Sequence, residues 1–171
     1  MTKDRFLSIE SYMEKHGILW RVMYFVAKCI TIFTFACYPV LLLILFVGLL
    51  LTGGYRELFL CILVPGISFV GLSIFRKAIN CKRPYEIWDT TPLINKKTKG
   101  NSFPSRHVFS IYMIGMTFVG MHLWIGYLIL AFGIYLAVFR VVAGVHFIKD
   151  VLAGAAVGIF CGIILYLLLN F

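Results

Sequence analysis

Residues 31–52 read TIFTFACYPVLLLILFVGLLLT, 22 positions without a charged side chain. As a helix rising 1.5 Å per residue, this stretch extends about 33 Å, enough to cross a hydrocarbon core of roughly 30 Å. Pro39 is a candidate kink within it, and Gly53-Gly54 closes it. Working outward, residues 58–75, 106–122, 124–139 and 148–169 are similar apolar runs, the third and fourth joined by a very short turn. Five spans make an all-α, polytopic membrane helical bundle the expected fold class. Residues 4–30 are mixed. Arg5, Glu10, Glu14, Lys15, Arg21 and Lys28 interrupt their apolar positions, which predicts an amphipathic interfacial helix in preference to a sixth span.

Composition supports the same class. Hydrophobic residues make up 61% of the 171 positions and charged residues 13%, and the mean hydropathy is +0.96. A soluble domain is about half apolar and a quarter charged. The net charge of +9 comes from 16 Lys and Arg against 7 Asp and Glu. In a soluble chain that balance would suggest nucleic acid. Here most basic residues fall between apolar spans, so the bilayer's anionic lipid headgroups or a phosphorylated substrate are the expected partners, with no nucleic acid. The five cysteines are odd in number and lack metal-ligand spacing, so they are read as packing residues. Residues 1–16 are polar and mixed in charge, so no cleavable signal peptide is expected. With no internal repeat, residues 1–171 are read as a single domain. Its long polar loop is 84–104, punctuated by Pro84, Pro92, Gly100 and Pro104.

Helix direction then decides where the chemistry lies. The second span ends at Arg76, the third begins after Ser105, the fourth ends at Arg140, and the fifth begins near His146. Antiparallel crossings therefore bring Arg76, Arg83, Ser105, His107, Arg140, His146 and Asp150 to one membrane face. Charge at such a depth is costly and tends to be functional. Arg76 and Arg83, seven positions apart, are expected on one helix face, where each guanidinium can bind phosphate oxygens in bidentate fashion. Taken alone, they could equally be a basic membrane flank. Pro104-Ser105-Arg106-His107 opens an apolar span, with Ser105 a favoured N-cap and the free N–H groups of a helix start facing any anion. Simple capping would explain that segment too. His146 and Asp150, four apart, are expected to face each other on a helix. The carboxylate would fix the imidazole tautomer and leave the other nitrogen free to attack. The bland alternative is a local ion pair. Gly154, Gly158 and Gly162 continue the four-residue spacing and read as close helix packing.

Metal chemistry fits poorly. Magnesium sites want carboxylates, and of seven acidic residues only Asp150 belongs to the convergent cluster. A zinc site from His107, His146 and Asp150 is the minor alternative. No metal and no cofactor is expected.

These clusters resemble the type 2 phosphatidic acid phosphatase family, which shares its core with vanadium haloperoxidases. The family motifs K-x6-R-P, P-S-G-H and S-R-x5-H-x3-D read here as Arg76-x6-Arg83-Pro84, Pro104-Ser105-Arg106-His107 and Phe139-Arg140-x5-His146-x3-Asp150. The resemblance implies that His146 attacks phosphorus, Asp150 orients it, and His107 protonates the leaving oxygen. It implies that Arg76, Arg83, Ser105, Arg106 and Arg140 hold the phosphate. Arg76 replaces Lys, Arg106 replaces Gly and Phe139 replaces Ser. The implied activity is metal-independent hydrolysis of undecaprenyl diphosphate, phosphatidylglycerophosphate or phosphatidate in a bacterial cell membrane. A lipid-phosphate transporter or a non-catalytic headgroup binder is the alternative. Lys77, Lys82, Lys96, Lys97 and Lys99 lie on the active-site face, which by the positive-inside rule points to the cytoplasm, whereas the family often works on the outer face.

Overall fold

The computed structural model describes residues 2–53, 55–96 and 98–171. Gly54 and Lys97, named above, lie outside the described residues. The chain is helical: α1 Lys3–Lys15, α2 Gly17–Thr52, α3 Arg56–Ile79, the one-turn α4 Pro84–Trp88, α5 Arg106–Gly120, α6 Ile125–Val142 and α7 Ile148–Asn170. Among the described residues four stretches are long and apolar enough to cross a bilayer: Gly17–Thr52, Arg56–Trp88, Ile125–Val142 and Ile148–Asn170. Their lipid-facing sides are exposed Leu, Ile, Val and Phe, as expected where lipid is the solvent.

The expected span over 106–122 is α5, a helix of 15 residues and so only about 22 Å long. Ten of those residues are buried, which makes α5 the hub of the bundle. It packs most extensively on α7 and then on α6. Small residues permit the closest approach. A Cβ added at Gly154 would lie 2.5 Å from the Ser105 carbonyl oxygen, one at Gly158 would lie 2.8 Å from that of Phe109, and one at Gly162 would lie 2.2 Å from the Met116 Cβ. On α6, Gly126 meets the Gly115 carbonyl in the same way, at 2.7 Å. Backbone-to-backbone contact of this kind gains dispersion energy where lipid supplies no hydrophobic drive between helices.

The N-terminal reading needs revision. Residues 4–30 do not form one interfacial helix. His16 separates α1 from α2, and residues 17–30 continue straight into the first span as a 36-residue helix. That extension has its own packing surface. Trp20 stacks on Phe139 with ring centroids 5.5 Å apart, and the Tyr135 hydroxyl donates to the Met23 carbonyl at 3.0 Å. The preceding α1 is pinned by Phe6, which is fully buried. Phe6 stacks on Trp88 at 5.4 Å, and Trp88 meets Phe147 edge-on at 5.4 Å. Gly144, at φ +73°, leaves room for the Phe6 ring.

Proline is accommodated locally. Pro65 inside α3 has no N–H to offer the Cys61 carbonyl one turn back, and the Tyr38 hydroxyl of α2 donates to that oxygen instead. The five cysteines are free thiols.

The glycine contacts carry a test. Gly154→Ala drives a methyl group into the Ser105 carbonyl and is expected to lower stability by about 1–3 kcal/mol. Gly71→Ala, with open space around the added Cβ, is expected to be neutral or mildly stabilising. Thermal unfolding of both variants in detergent checks this, and equal midpoints would contradict the packing role.

Candidate active site

Three local structures bring the candidate residues together at one end of the bundle. The first is the exit from α3. The helix ends at Ile79 because Asn80 adopts a left-handed conformation (φ 46°). Arg83 precedes Pro84 and is therefore extended (φ −86°, ψ 162°). Arg76 and Arg83 thus do not share a helix face, contrary to the reading from their spacing. They converge through the loop instead. Arg76 donates to the carbonyls of Pro104 and Asn101. Arg83 donates from Nε to Gly100 at 3.0 Å, and from its two Nη atoms to Val145 at 3.3 Å and Asn101 at 3.5 Å. The Glu86 carboxylate accepts from the backbone N–H of Arg83 at 2.9 Å and of Gly100 at 2.8 Å, tying α4 to the loop. Gly100 suits its left-handed φ of +66°, and a Cβ there would lie 2.1 Å from the Asn80 Oδ1, so that side chain would have to move.

The second is the start of α5. Ser105 occupies the N-cap position, but its hydroxyl makes no capping bond. Its Oγ is buried without a hydrogen-bond partner among the described residues. Its backbone N–H donates 2.8 Å to the Asp150 carbonyl, so the first turns of α5 and α7 are joined directly. His107 feels the charges of Arg140, Lys96, His146 and Arg106, which places it at the same end as His146. The Arg106 guanidinium lies over the Phe69 ring, 5.4 Å from its centroid.

The third is the start of α7. The helix begins at Ile148, so His146 lies before it, and the pairing with Asp150 does not arise from a shared helix face. Asp150 is at the third helical position, and its Oδ2 turns back to accept from the Phe147 N–H at 3.0 Å. The His146 Nδ1 lies 3.5 Å from the same oxygen, with both side chains almost fully buried. That separation is long for a hydrogen bond. The closest partner of Oδ2 is Ser102, whose hydroxyl donates at 2.5 Å and also sits 3.5 Å from the His146 Nδ1. Burial is the main force lowering the basicity of His146, with the Arg83 charge adding to it, and together they outweigh the attraction of the neighbouring Asp150 carboxylate. The imidazole pKa falls to about 4, so the ring is neutral at neutral pH.

Of the expected residues, Arg76, Arg83, Ser105, His146 and Asp150 are linked through contacts to the 100–105 loop and to one another. Arg106 shares a cavity with Arg76 and Arg83. Arg140, on the last turn of α6, is coupled to the cluster through the charge of Arg83. Its Nε is buried without a partner among the described residues. Phe139, the departure from Ser in the third motif, faces the α2 extension and not the cluster. Ser102 was not foreseen, because nothing in the spacing of a loop serine marks it as a partner for a carboxylate 48 positions away. Glu86 was not foreseen as the tether of this loop, and Lys96, expected on this face, was not foreseen as a wall of the cavity shared by Arg76 and Arg83.

Among the described residues, Arg76, Lys77, Arg83, Lys96, Lys99 and Arg106 contribute six cations and no residue contributes a carboxylate to the lining of a cavity of about 380 Å³. Crowding by these charges, after burial, lowers the proton affinity of the Lys96 amine. Among the described residues no three His, Cys, Asp or Glu side chains are grouped to hold a metal ion.

Comparison with known proteins places this arrangement in context. The PAP2 superfamily profile matches residues 42–171. The bacitracin transport permease protein BcrC of Bacillus licheniformis is 28% identical over 167 residues, covering 95% of this chain and 78% of that protein. Among solved structures, LpxE of Aquifex aeolicus superposes with a TM-score of 0.58 at 22% identity, over 85% of this chain and 93% of that one. A transmembrane PAP2-type phosphatidylglycerolphosphate phosphatase of Bacillus subtilis gives 0.55 at 20% identity, over 94% and 90%.

The Ser102 contact is testable on its own. Ser102→Ala removes the shortest hydrogen bond to a buried carboxylate and is expected to lower unfolding free energy by about 1.5–3 kcal/mol. An unfolding midpoint equal to that of the parent protein would show the contact to be unimportant.

Proposed function

The chain belongs to the PAP2 superfamily as an integral membrane phosphatase acting on lipid phosphates, and from that premise we propose that it works through a phosphohistidine formed on His146. The observation that supports this most directly is the buried, neutral imidazole of His146, with Nδ1 turned to the Asp150–Ser102 pair. A proton held on Nδ1 by that carboxylate leaves Nε2 as the lone-pair nitrogen.

The step follows from ordinary phosphoryl-transfer chemistry. Nε2 bonds to phosphorus, the bond from phosphorus to the lipid-side oxygen breaks, and His107 supplies a proton to the departing oxygen. Water then attacks phosphorus while giving a proton back to His107, the bond from phosphorus to Nε2 breaks with its electron pair returning to the imidazole, and inorganic phosphate leaves. Arg76, Arg83 and Arg140 provide the positive charge that the transferring group requires. The unpartnered Ser105 hydroxyl and Arg140 Nε are groups that a phosphate would satisfy. Arg76 and Arg83 spend part of their hydrogen-bonding capacity on loop carbonyls. A guanidinium has five N–H donors, so donors remain for phosphate, and their position is fixed before any substrate arrives. Undecaprenyl diphosphate, phosphatidylglycerophosphate and phosphatidate are the candidate substrates in a bacterial cell membrane, with the polyprenyl diphosphate slightly favoured.

The Bacillus licheniformis relative is named a bacitracin transport permease, and a second reading for this chain is transport of a lipid phosphate without turnover. An anion-transport site needs cations but has no use for a neutral imidazole backed by a carboxylate. Direct measurement separates the two. Purified protein in EDTA is expected to release inorganic phosphate from a lipid phosphate. His146→Ala is expected to cut that release by about 10⁴-fold or more while eluting from a sizing column as the parent does. Brief incubation with labelled substrate should leave an acid-labile label on the parent protein and none on His146→Ala. Phosphate release by His146→Ala at the parent rate would remove the nucleophile from this scheme.

The pH profile has a definite sign. The neutral imidazole is the active form, and its pKa is depressed to about 4. Activity is therefore retained as pH falls past the ordinary histidine value of about 6.5 and declines only as pH passes through the depressed value. The acid limb of kcat/KM, which reports groups of the free enzyme, checks this. A limb centred between pH 6 and 7 would contradict a buried neutral nucleophile.

A further inference from the structure

The six-cation cavity holds more positive charge than one phosphoryl group needs. A phosphate monoester carries about −1.5 to −2 at pH 7. Arg76 and Arg83 already line this cavity at the loop. Lys77, Lys96, Lys99 and Arg106 are left over, and of these only Arg106 carries a guanidinium. The backbone N–H of position 106 would serve phosphate equally well from glycine, so the guanidinium itself calls for a reason.

Its placement supplies one. Arg106 sits where two spaces meet. On one side is the basic cavity, to which Ser73 and Arg76 of α3 also contribute. On the other is an apolar groove of about 260 Å³ between α2, α3 and α5, lined by residues that include Phe35, Ile62, Phe69, Phe109 and Met113. The two spaces are one helical turn apart on both walls. On α3, Phe69 lines the groove and Ser73 the cavity, and the Ser73 hydroxyl donates to the Phe69 carbonyl at 2.7 Å. On α5, Arg106 lines the cavity, and Phe109 and Ser110 line the groove. The Phe69 ring holds the Arg106 guanidinium at this junction. A lipid with its phosphoryl group beside Arg76 and Arg83 in the cavity and its chain in the groove would pass its phosphate–chain linkage beside Arg106.

We propose that Arg106 binds a second phosphate on the lipid side of the scissile phosphoryl group, and so selects lipids bearing two phosphates over phosphatidate. This rests on the hydrolytic reading given above. The second phosphate could be joined directly, as in a polyprenyl diphosphate, or through glycerol, as in phosphatidylglycerophosphate. In both, the guanidinium fork meets the retained phosphate with charge-assisted hydrogen bonds. After cleavage that phosphate stays with the lipid product. Phosphatidate offers Arg106 only an ester oxygen.

The experiment compares kcat/KM for polyprenyl diphosphate, phosphatidylglycerophosphate and phosphatidate in detergent micelles containing EDTA. Arg106→Ala is expected to reduce the ratio of a two-phosphate substrate to phosphatidate by roughly 10- to 100-fold, the scale of a lost charge-assisted contact. Arg106→Lys, which keeps the charge but loses the fork and its stacking, should fall between, and it serves if the alanine variant does not fold. A drop confined to the diphosphate, or confined to phosphatidylglycerophosphate, identifies which linkage the site reads, and either supports the proposal. If the parent protein hydrolyses at least one two-phosphate lipid and phosphatidate but both Arg106 variants slow them by one common factor, or if it prefers phosphatidate, Arg106 does not select. If the parent protein releases phosphate from none of the three, the hydrolytic reading itself fails.

Discussion

The close approach of α5 and α7 is the constraint on which the rest of the molecule depends. Gly154, Gly158 and Gly162 let the backbone of α7 lie against Ser105, Phe109 and Met116 of α5. At the site end, this contact becomes a hydrogen bond from the Ser105 N–H to the Asp150 carbonyl. The same closeness lets Ser102, four residues before the start of α5, reach the Asp150 carboxylate. A larger residue at 154 would separate the two helix starts. The imidazole, the carboxylate and the serine-bearing loop would then move independently. Packing in the apolar part of the bundle thus fixes polar geometry at its end.

That end is electrostatically expensive. Several guanidiniums are buried or half-buried among one another, with Asp150 as the single carboxylate contacting the histidine. Burying charge is unfavourable unless each group is hydrogen-bonded. The loop from Gly100 to Pro104 meets this need by turning its carbonyls toward Arg76 and Arg83. The positive φ values of Asn80, Gly100 and Asn101 produce the turns that do so. Glu86 fixes the other side of the loop. The guanidiniums therefore perform two tasks: they hold the loop in place and they present positive charge to an anion.

The aromatic residues at the same end hold the frame from outside. Phe6, Trp88 and Phe147 form a chain of ring contacts from α1 to the residue after His146. Trp20 and Tyr24 of the α2 extension meet Phe139, beside Arg140. The departure at position 139 thus has a local explanation, since a serine there would leave Trp20 without its stacking partner.

Much was legible from the residues alone. Hydropathy and length identified four of the five expected spans among the described residues, because a bilayer imposes both on any helix that crosses it, while 106–122 became the short, buried α5. Alternating direction placed Arg76, Ser105, His107, Arg140 and His146 at one end, and the four-residue glycine spacing marked the packing face of α7. What spacing could not decide was local chain direction where helices stop. Arg76 and Arg83 suit one helix face by count, yet Asn80 ends α3 between them. His146 and Asp150 suit a helical pair, yet α7 starts at Ile148. Residues 17–30 carry charges that suggested an interface, yet they continue α2 because Trp20 and Met23 find partners on α6. Ser102 and the carbonyls of Gly100 and Asn101 entered the site only through tertiary structure. A hydrogen bond between a loop and a helix start depends on how two distant segments pack, and the order of residues along either segment does not encode that distance.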